Sequence, residues 1–301
     1  MMMGVDFQHL LNTRFATQIG LGLVGKMPVR VGYVLAKFAA DRLAARPSQP
    51  IVKALHGNLS VVYGDELSST ELDEVVRRAL RSRTRALFDF YHALGNDSKM
   101  KALVNYGDRF PEFLRRNASK DHGTIAAVIH MGNPELLAIA GPLAGMRGFG
   151  VTAPEESGGY ELLNEIRDRA GLETMPASMA AVKKATRVLK EKGTVFVGLD
   201  RPVPGSGYHP RFFGRPTALP VLHVSLALKA DVPIIVFGAK RRADGIYDVL
   251  VSDFIYMEKH SNRKTELITN AERLLAVAEG FIRQAPEQWG MVHPLWSNGS
   301  G

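Results

Sequence analysis

A histidine and a carboxylate stand five residues apart in the stretch Thr124-Ile-Ala-Ala-Val-Ile-His130-Met-Gly-Asn-Pro-Glu135. If Glu135 holds the proton on one ring nitrogen, it fixes the tautomer and leaves the other nitrogen to take a proton from an attacking hydroxyl, which is general-base chemistry. The same spacing also fits a histidine that merely hydrogen-bonds a nearby backbone carbonyl, so context has to decide. The residues before His130 are apolar, partly β-branched and uncharged, which predicts a buried parallel strand. Gly132-Asn133-Pro134 then punctuates it and Glu135 opens a helix. The imidazole therefore falls at the C-terminal tip of a strand, where open α/β sheets bind their ligands.

Other chemistries find less support. The 301 residues include no cysteine, which excludes disulfides, thiolate metal ligands and a cysteinyl acyl-enzyme. Any thioester must then arrive with a substrate. There is no G-x-S-x-G elbow, and the histidines at 9, 56, 92, 122, 209, 223, 260 and 293 lack metal-binding spacing, so no metal is expected. Gly20-Leu-Gly22-Leu-Val-Gly25-Lys26 satisfies two phosphate-loop patterns at once, but Met27 stands where Ser or Thr would reach magnesium and no buried strand leads in. A flexible joint between interfacial helices is expected there instead of a nicotinamide nucleotide site.

Lys and Arg number 38 against 30 Asp and Glu, a net charge of +8, which implies an anionic partner. Residues 1–50 carry six basic groups and two acidic ones, interleaved with apolar residues. That pattern favours an anionic membrane surface over nucleic acid. No cleavable signal peptide is evident, and the apolar region from Phe15 to Ala45 is interrupted by Gln18, Lys26, Pro28, Arg30, Lys37 and Asp41, too often for a span.

The elements that must position His130 follow from periodicity. Met27 to Ala45 reads as a helix with apolar Val31, Val34, Leu35 and Phe38, a stripe that either packs on the domain or meets a membrane. Ser68-Ser-Thr-Glu71 is a capping box before a long amphipathic helix. Beyond Thr124, strands alternate with helices: strands at 148–153, 194–200, 232–237 and 247–251, and helices at 160–170, 179–192, 220–229 and 263–285. The expected fold class is α/β, a mainly parallel central sheet flanked by helices with an N-terminal helical membrane-docking extension. Residues 1–120 are expected to form the helical docking and scaffold segment, and 121–301 the α/β core.

His130-x-x-x-x-Glu135, Arg167-Asp-Arg-Ala-Gly171, Gly193 to Asp200-Arg201, Arg211-Phe-Phe-Gly-Arg-Pro216, Pro286-Glu-Gln-Trp289 and the early His56-Gly-Asn58-Leu59 together resemble the bacterial lipid A biosynthesis acyltransferase family. That family includes lauroyl and myristoyl acyltransferases and the phosphatidylinositol mannoside acyltransferases, and Arg201 is more like the latter branch. The resemblance implies His130 as general base and Glu135 as its orienting carboxylate. It implies Arg167 as a cation for a substrate phosphate or the developing oxyanion, Asp200 and Arg201 as binders of the acceptor's polar head, and Arg211, Phe213 and Gly214 as a wall of the acyl or head-group cleft. Glu155 is a further substrate-binding candidate. No cofactor is implied; the donor is an acyl-CoA or acyl carrier protein thioester. The acceptor is a hydroxyl of a membrane glycolipid or lysophospholipid, and the place is the cytoplasmic face of the bacterial inner membrane, held peripherally. A non-catalytic lipid-binding protein on the same fold is the alternative.

Overall fold

A computed structural model describes residues 23–119, 121–153 and 158–296. After a 3-10 turn at Val24–Lys26, four helices lead toward a sheet: α1 (Val29–Ala44), α2 (Pro50–Tyr63), α3 (Ser69–Ala93) and α4 (Asp97–Ala102). Pro28 and Pro50 sit at helix starts, where a missing N–H costs nothing. The expected capping box holds, with Ser68 and Glu71 each satisfying the other's backbone. Pieces of α1 to α3 form their own apolar cluster around Leu55, Leu59 and Leu80.

The sheet is then laid down by β1 (Val104–Asn105), α5 (Arg109–Ser119), β2 (Thr124–Val128), α6 (Pro134–Leu143), β3 (Gly148–Thr152), α7 (Gly158–Ala170), β4 (Leu172–Pro176), α8 (Met179–Lys190) and β5 (Thr194–Gly198). A two-residue hairpin, β6 (Arg211–Phe212) and β7 (Arg215–Pro216), precedes α9 (Leu222–Ala230), β8 (Ile234–Arg241), β9 (Tyr247–Val251) and α10 (Arg263–Ile282). Strand order is β1-β9-β8-β2-β5-β3-β4. Every neighbouring pair is parallel except β8 and β9. The central strands are continuous apolar runs because both faces are covered. Ile125, Ala127, Val195 and Val197 face a core with α8, α9 and α10, whereas Ala126, Phe196, Ile235 and Phe237 face one with α5, α6 and α7. Each fully buried aliphatic side chain there contributes roughly 1.5–3 kcal/mol.

The sequence missed β4, β1, the β6–β7 hairpin and the helices α2, α4 and α5. It placed the remaining strands and helices to within a few residues. β9 is antiparallel to β8, an orientation the sequence had left open.

Helix α1 is turned inside out relative to an ordinary surface helix. Its small residues pack inward, with Gly32 against the Phe88 ring so closely that a Cβ would fall 2.0 Å from it. Its large apolar residues point away. Of nine large apolar side chains exposed among the described residues, six lie between Leu23 and Phe38. The helix is fastened by a buried polar knot. Asp89 of α3 accepts hydrogen bonds from Tyr33 (2.8 Å), Tyr247 (2.8 Å) and Arg241 (3.1 Å), and Arg241 also donates to the Tyr33 hydroxyl at 2.9 Å. Among the described residues no helix is long and apolar enough to cross a membrane.

Candidate active site

Strands β2 and β5 are adjacent and parallel, with Val128 opposite Gly198. From β2 the chain leaves over one face of the sheet through α6, and after β5 it leaves over the other toward α9. Their tips thus form the switch point at which such sheets open a crevice. Two residues beyond each strand end lie His130 and Asp200.

Asp200 is completely buried. Its Oδ1 is 2.6 Å from His130 Nδ1, its carboxylate accepts the His130 backbone N–H at 3.0 Å, and Oδ2 accepts the Trp289 indole N–H at 2.8 Å. Burial pushes the Asp200 carboxyl up, but its electrostatic attraction to the facing His130 ring and the hydrogen bonds from His130 and Trp289 together hold it below the usual carboxylate range. An ionised carboxylate requires the proton on Nδ1, so the His130 Nε2 lone pair remains as a base. The imidazole is about one-third exposed, enough to meet a substrate.

The C-terminal segment clamps this arrangement. Gly290 donates to the His130 carbonyl at 2.8 Å, Gly132 donates to the Gln288 carbonyl at 2.8 Å, and Met131 pairs with Trp289 as an antiparallel bridge. Gly132 has φ +69°, and a Cβ there would lie 2.3 Å from the Ala239 carbonyl, so only glycine allows the chain to turn out of β2 here. Asn58, from the His56-Gly-Asn58 stretch, ties the segment further: its amide donates to the carbonyls of Met291 and His293, and its oxygen accepts from Leu295 N–H.

His130 opens onto a cavity of about 730 Å³ whose lining is mostly apolar. Its lining includes Phe110, Leu137, Met146, Phe196 and Phe237 from the core on the α5–α6 face of the sheet, and Leu222 and Leu295 from the core on the α9 face, with His223 next to Leu222 in α9. Tyr106 also lines it, its hydroxyl bonded to the Ala140 carbonyl at 2.7 Å and pushed up to about 12 by burial. A mostly apolar cavity of this volume has room for a hydrocarbon chain.

The sequence-derived residues fall into three groups. His130, Glu135, Arg167 and Arg201 line the cavity together. Arg167 is no surface charge: it is 7% exposed, pairs with Glu135 and donates to Asn164 at 2.7 Å. The orienting contact expected of Glu135 is corrected, because Asp200 holds the ring and the Glu135 carboxylate, in the first turn of α6, is engaged by Arg167. Asp200 as a binder of the polar head is corrected for the same reason, its oxygens being buried and occupied inside the protein.

Arg211, Phe213 and Gly214 do not line the cavity. Their turn buttresses Trp289 instead: Phe212 and Phe213 pack on the indole with ring centroids 5.7 and 6.1 Å away, and Arg211 reaches back to the Gly214 carbonyl at 3.0 Å. Glu155 lies outside the described residues, as do Gly20 and Gly22 of the phosphate-loop pattern, while Gly25 sits in the 3-10 turn. Trp289 was quoted only as part of a resemblance, and His223 only among scattered histidines. An indole in a stretch that must pack on the strand tips, and a histidine inside the apolar run Val221 to Leu228, were the signals available.

The model of the bacterial lipid A biosynthesis acyltransferase family matches residues 5–298. No curated protein matches the chain.

Proposed function

The chain belongs to the bacterial lipid A biosynthesis acyltransferase family, which implies an acyltransferase acting on lipid substrates, and on that premise we propose that it moves a fatty acyl chain from a CoA or acyl carrier protein thioester to a hydroxyl of a membrane glycolipid or lysophospholipid. The observation that carries this reading is the buried Asp200 carboxylate fixing His130 at the mouth of an apolar cavity. The acyl chain lies in the cavity with its thioester carbonyl beside Nε2. Nε2 takes the acceptor hydroxyl's proton as that oxygen attacks the carbonyl carbon. The C–S bond then breaks and the departing sulfur receives the same proton from the imidazolium, so an ester and a free thiol are formed with no protein-bound intermediate. Arg167, kept in place by Glu135, offers its positive charge to the developing oxyanion or to a substrate phosphate. Arg201, on the cavity wall, faces the polar part of a substrate.

The enzyme works peripherally on the cytoplasmic face of the inner membrane. Val34, Phe38 and Leu35 of α1, exposed by 67%, 61% and 49%, enter the headgroup boundary, flanked by Arg30, Lys37 and Arg42 for anionic lipid. Binding to vesicles containing phosphatidylglycerol is expected to fall at least tenfold in a V34E/F38E variant, measured by co-sedimentation, while thiol release from a soluble donor and acceptor persists.

The test of the chemistry is free-thiol release from palmitoyl-CoA and from an acyl carrier protein thioester, by wild type and His130→Ala, with bacterial glycolipid in detergent. Acceptor-dependent release lost in the variant supports the reading. Equal release by both proteins, or none with either donor, sinks it and leaves lipid binding without catalysis.

A further inference from the structure

Of the residues lining the cavity, Phe110, Phe196 and Phe237 belong to the core on one face of the sheet, whereas Leu222 and Leu295 belong to the core on the other, the α9 side, where His223 follows Leu222. One of these is out of character. His223 stands in the first turn of α9, is 1% exposed, and follows Val221 and Leu222 in an apolar run. Its Nε2 is buried with no hydrogen-bond partner. Five buried side-chain polar atoms among the described residues share that condition, and two of them, His223 Nε2 and Thr152 Oγ1, belong to residues lining this one cavity. A buried nitrogen left unmatched costs stability that Leu or Met at the same position would not. The positioning carboxylate does not use it: Asp200 is fully engaged by His130 and Trp289. Burial also pushes the ring down to about 4, so it is uncharged near neutral pH and offers a hydrogen bond without a charge.

We propose that His223 is a substrate-binding residue whose Nε2 hydrogen-bonds an uncharged polar group, a hydroxyl or an amide, of the molecule that fills the α9 side of the cavity. The inference rests on the acyl-transfer reading and adds the chemistry of the second half of the site. An acyl chain occupies the aromatic side and carries no such group. The α9 side therefore holds what meets the chain at the reacting carbonyl, either the amide-bearing pantetheine arm of the donor or the hydroxyl-bearing head of the acceptor. A phosphate is a poor match for a neutral imidazole.

Steady-state kinetics of His223→Phe and His223→Gln, with the thioester and the acceptor varied separately, test the proposal. His223→Phe raises one KM about three- to tenfold, the range of a lost neutral hydrogen bond. It leaves kcat within about twofold, and His223→Gln recovers most of the loss. A rise confined to the thioester assigns the amide, and one confined to the acceptor assigns the hydroxyl. Both KM values within twofold of wild type in His223→Phe overturn the proposal.

A binding readout in the wild-type protein separates this from the parent reading and does not depend on the folding of His223→Phe. In imidazole-¹⁵N-labelled wild type, the His223 resonances are identified by their absence in His223→Gln. The protein is titrated with the unreactive thioether analogue of palmitoyl-CoA, and separately with a diacyl glycosylglycerol in sugar-free polyoxyethylene micelles. A shift of the His223 Nε2 signal with either ligand supports the proposal; none at saturation with both overturns it. If wild type transfers no acyl group at all, the acyl-transfer reading falls while this signal still decides for or against His223.

Discussion

Two carboxylates stand near this cleft, and they are held in contrasting ways. Asp200 ends a central strand, has no exposed surface and spends both oxygens on His130 and Trp289. Glu135 begins a helix, keeps its side chain 30% exposed and answers to Arg167. The first works in a dry, rigid surrounding where a hydrogen bond dictates a tautomer. The second belongs to an ion pair at the cavity wall, where solvent screens it. Under the proposed function the difference separates orienting a base from presenting a cation.

The comparison is broken or sharpened first by Asp200→Asn and Glu135→Gln in the same assay. Loss of the orienting carboxylate is expected to lower kcat on the order of 10³- to 10⁴-fold, because the ring's tautomer is no longer dictated. Glu135→Gln is expected to cost at least tenfold less, with its effect centred on KM through a displaced Arg167. If the order of the two losses is reversed, the helix carboxylate is the ring's working partner and the strand carboxylate is structural.

A smaller effect is expected at Trp289→Phe, which keeps the apolar packing and removes only the indole N–H bonded to Asp200. Leaving that oxygen short of a donor costs about 1–3 kcal/mol by urea denaturation. The acid side carries the sign. Asp200 is depressed below its ordinary 3.8 in the folded protein, so its contribution is complete above that value and is lost as pH falls through the depressed one. With one donor fewer the folded value rises, and acid unfolding of Trp289→Phe begins at higher pH than that of wild type.

His223 gives the third test, in stability. Its ring is lowered from 6.5 to about 4 by burial, so the unfolded chain takes up a proton first. Stability present above pH 6.5 is therefore lost as pH falls toward 4, by roughly 3 kcal/mol. His223→Gln, which does not titrate there, is expected to show a flatter profile over that window in urea melts.

What could be read from the chain follows the same division. Thr124–Val128 and Thr194–Gly198 were legible as strands because a strand covered on both faces needs an unbroken apolar run. Leu172–Pro176 was not, since an edge strand carrying Glu173 and Pro176 reads as a loop. Glu135 was named as the ring's partner because it is near in sequence, whereas Asp200 is seventy positions away and becomes a neighbour only through the β2–β5 pairing. The trace of it was two charge-free strands that each run out onto an ionisable side chain. Joining them required the strand order, which no local pattern encodes. The resemblance implied that the Arg211–Gly214 turn is a cleft wall, but its rings prop the indole that props Asp200.

The knot of Tyr33, Asp89, Arg241 and Tyr247 has a mechanical consequence. It bolts α1 to the ends of β8 and β9, the same sheet that carries His130. A helix fixed in that way cannot swing independently of the strands. Any plane that accepts its outward apolar face therefore also sets the tilt and height of the cleft above that plane, and under the proposed function an acceptor hydroxyl rising from it would meet the imidazole from one constant direction.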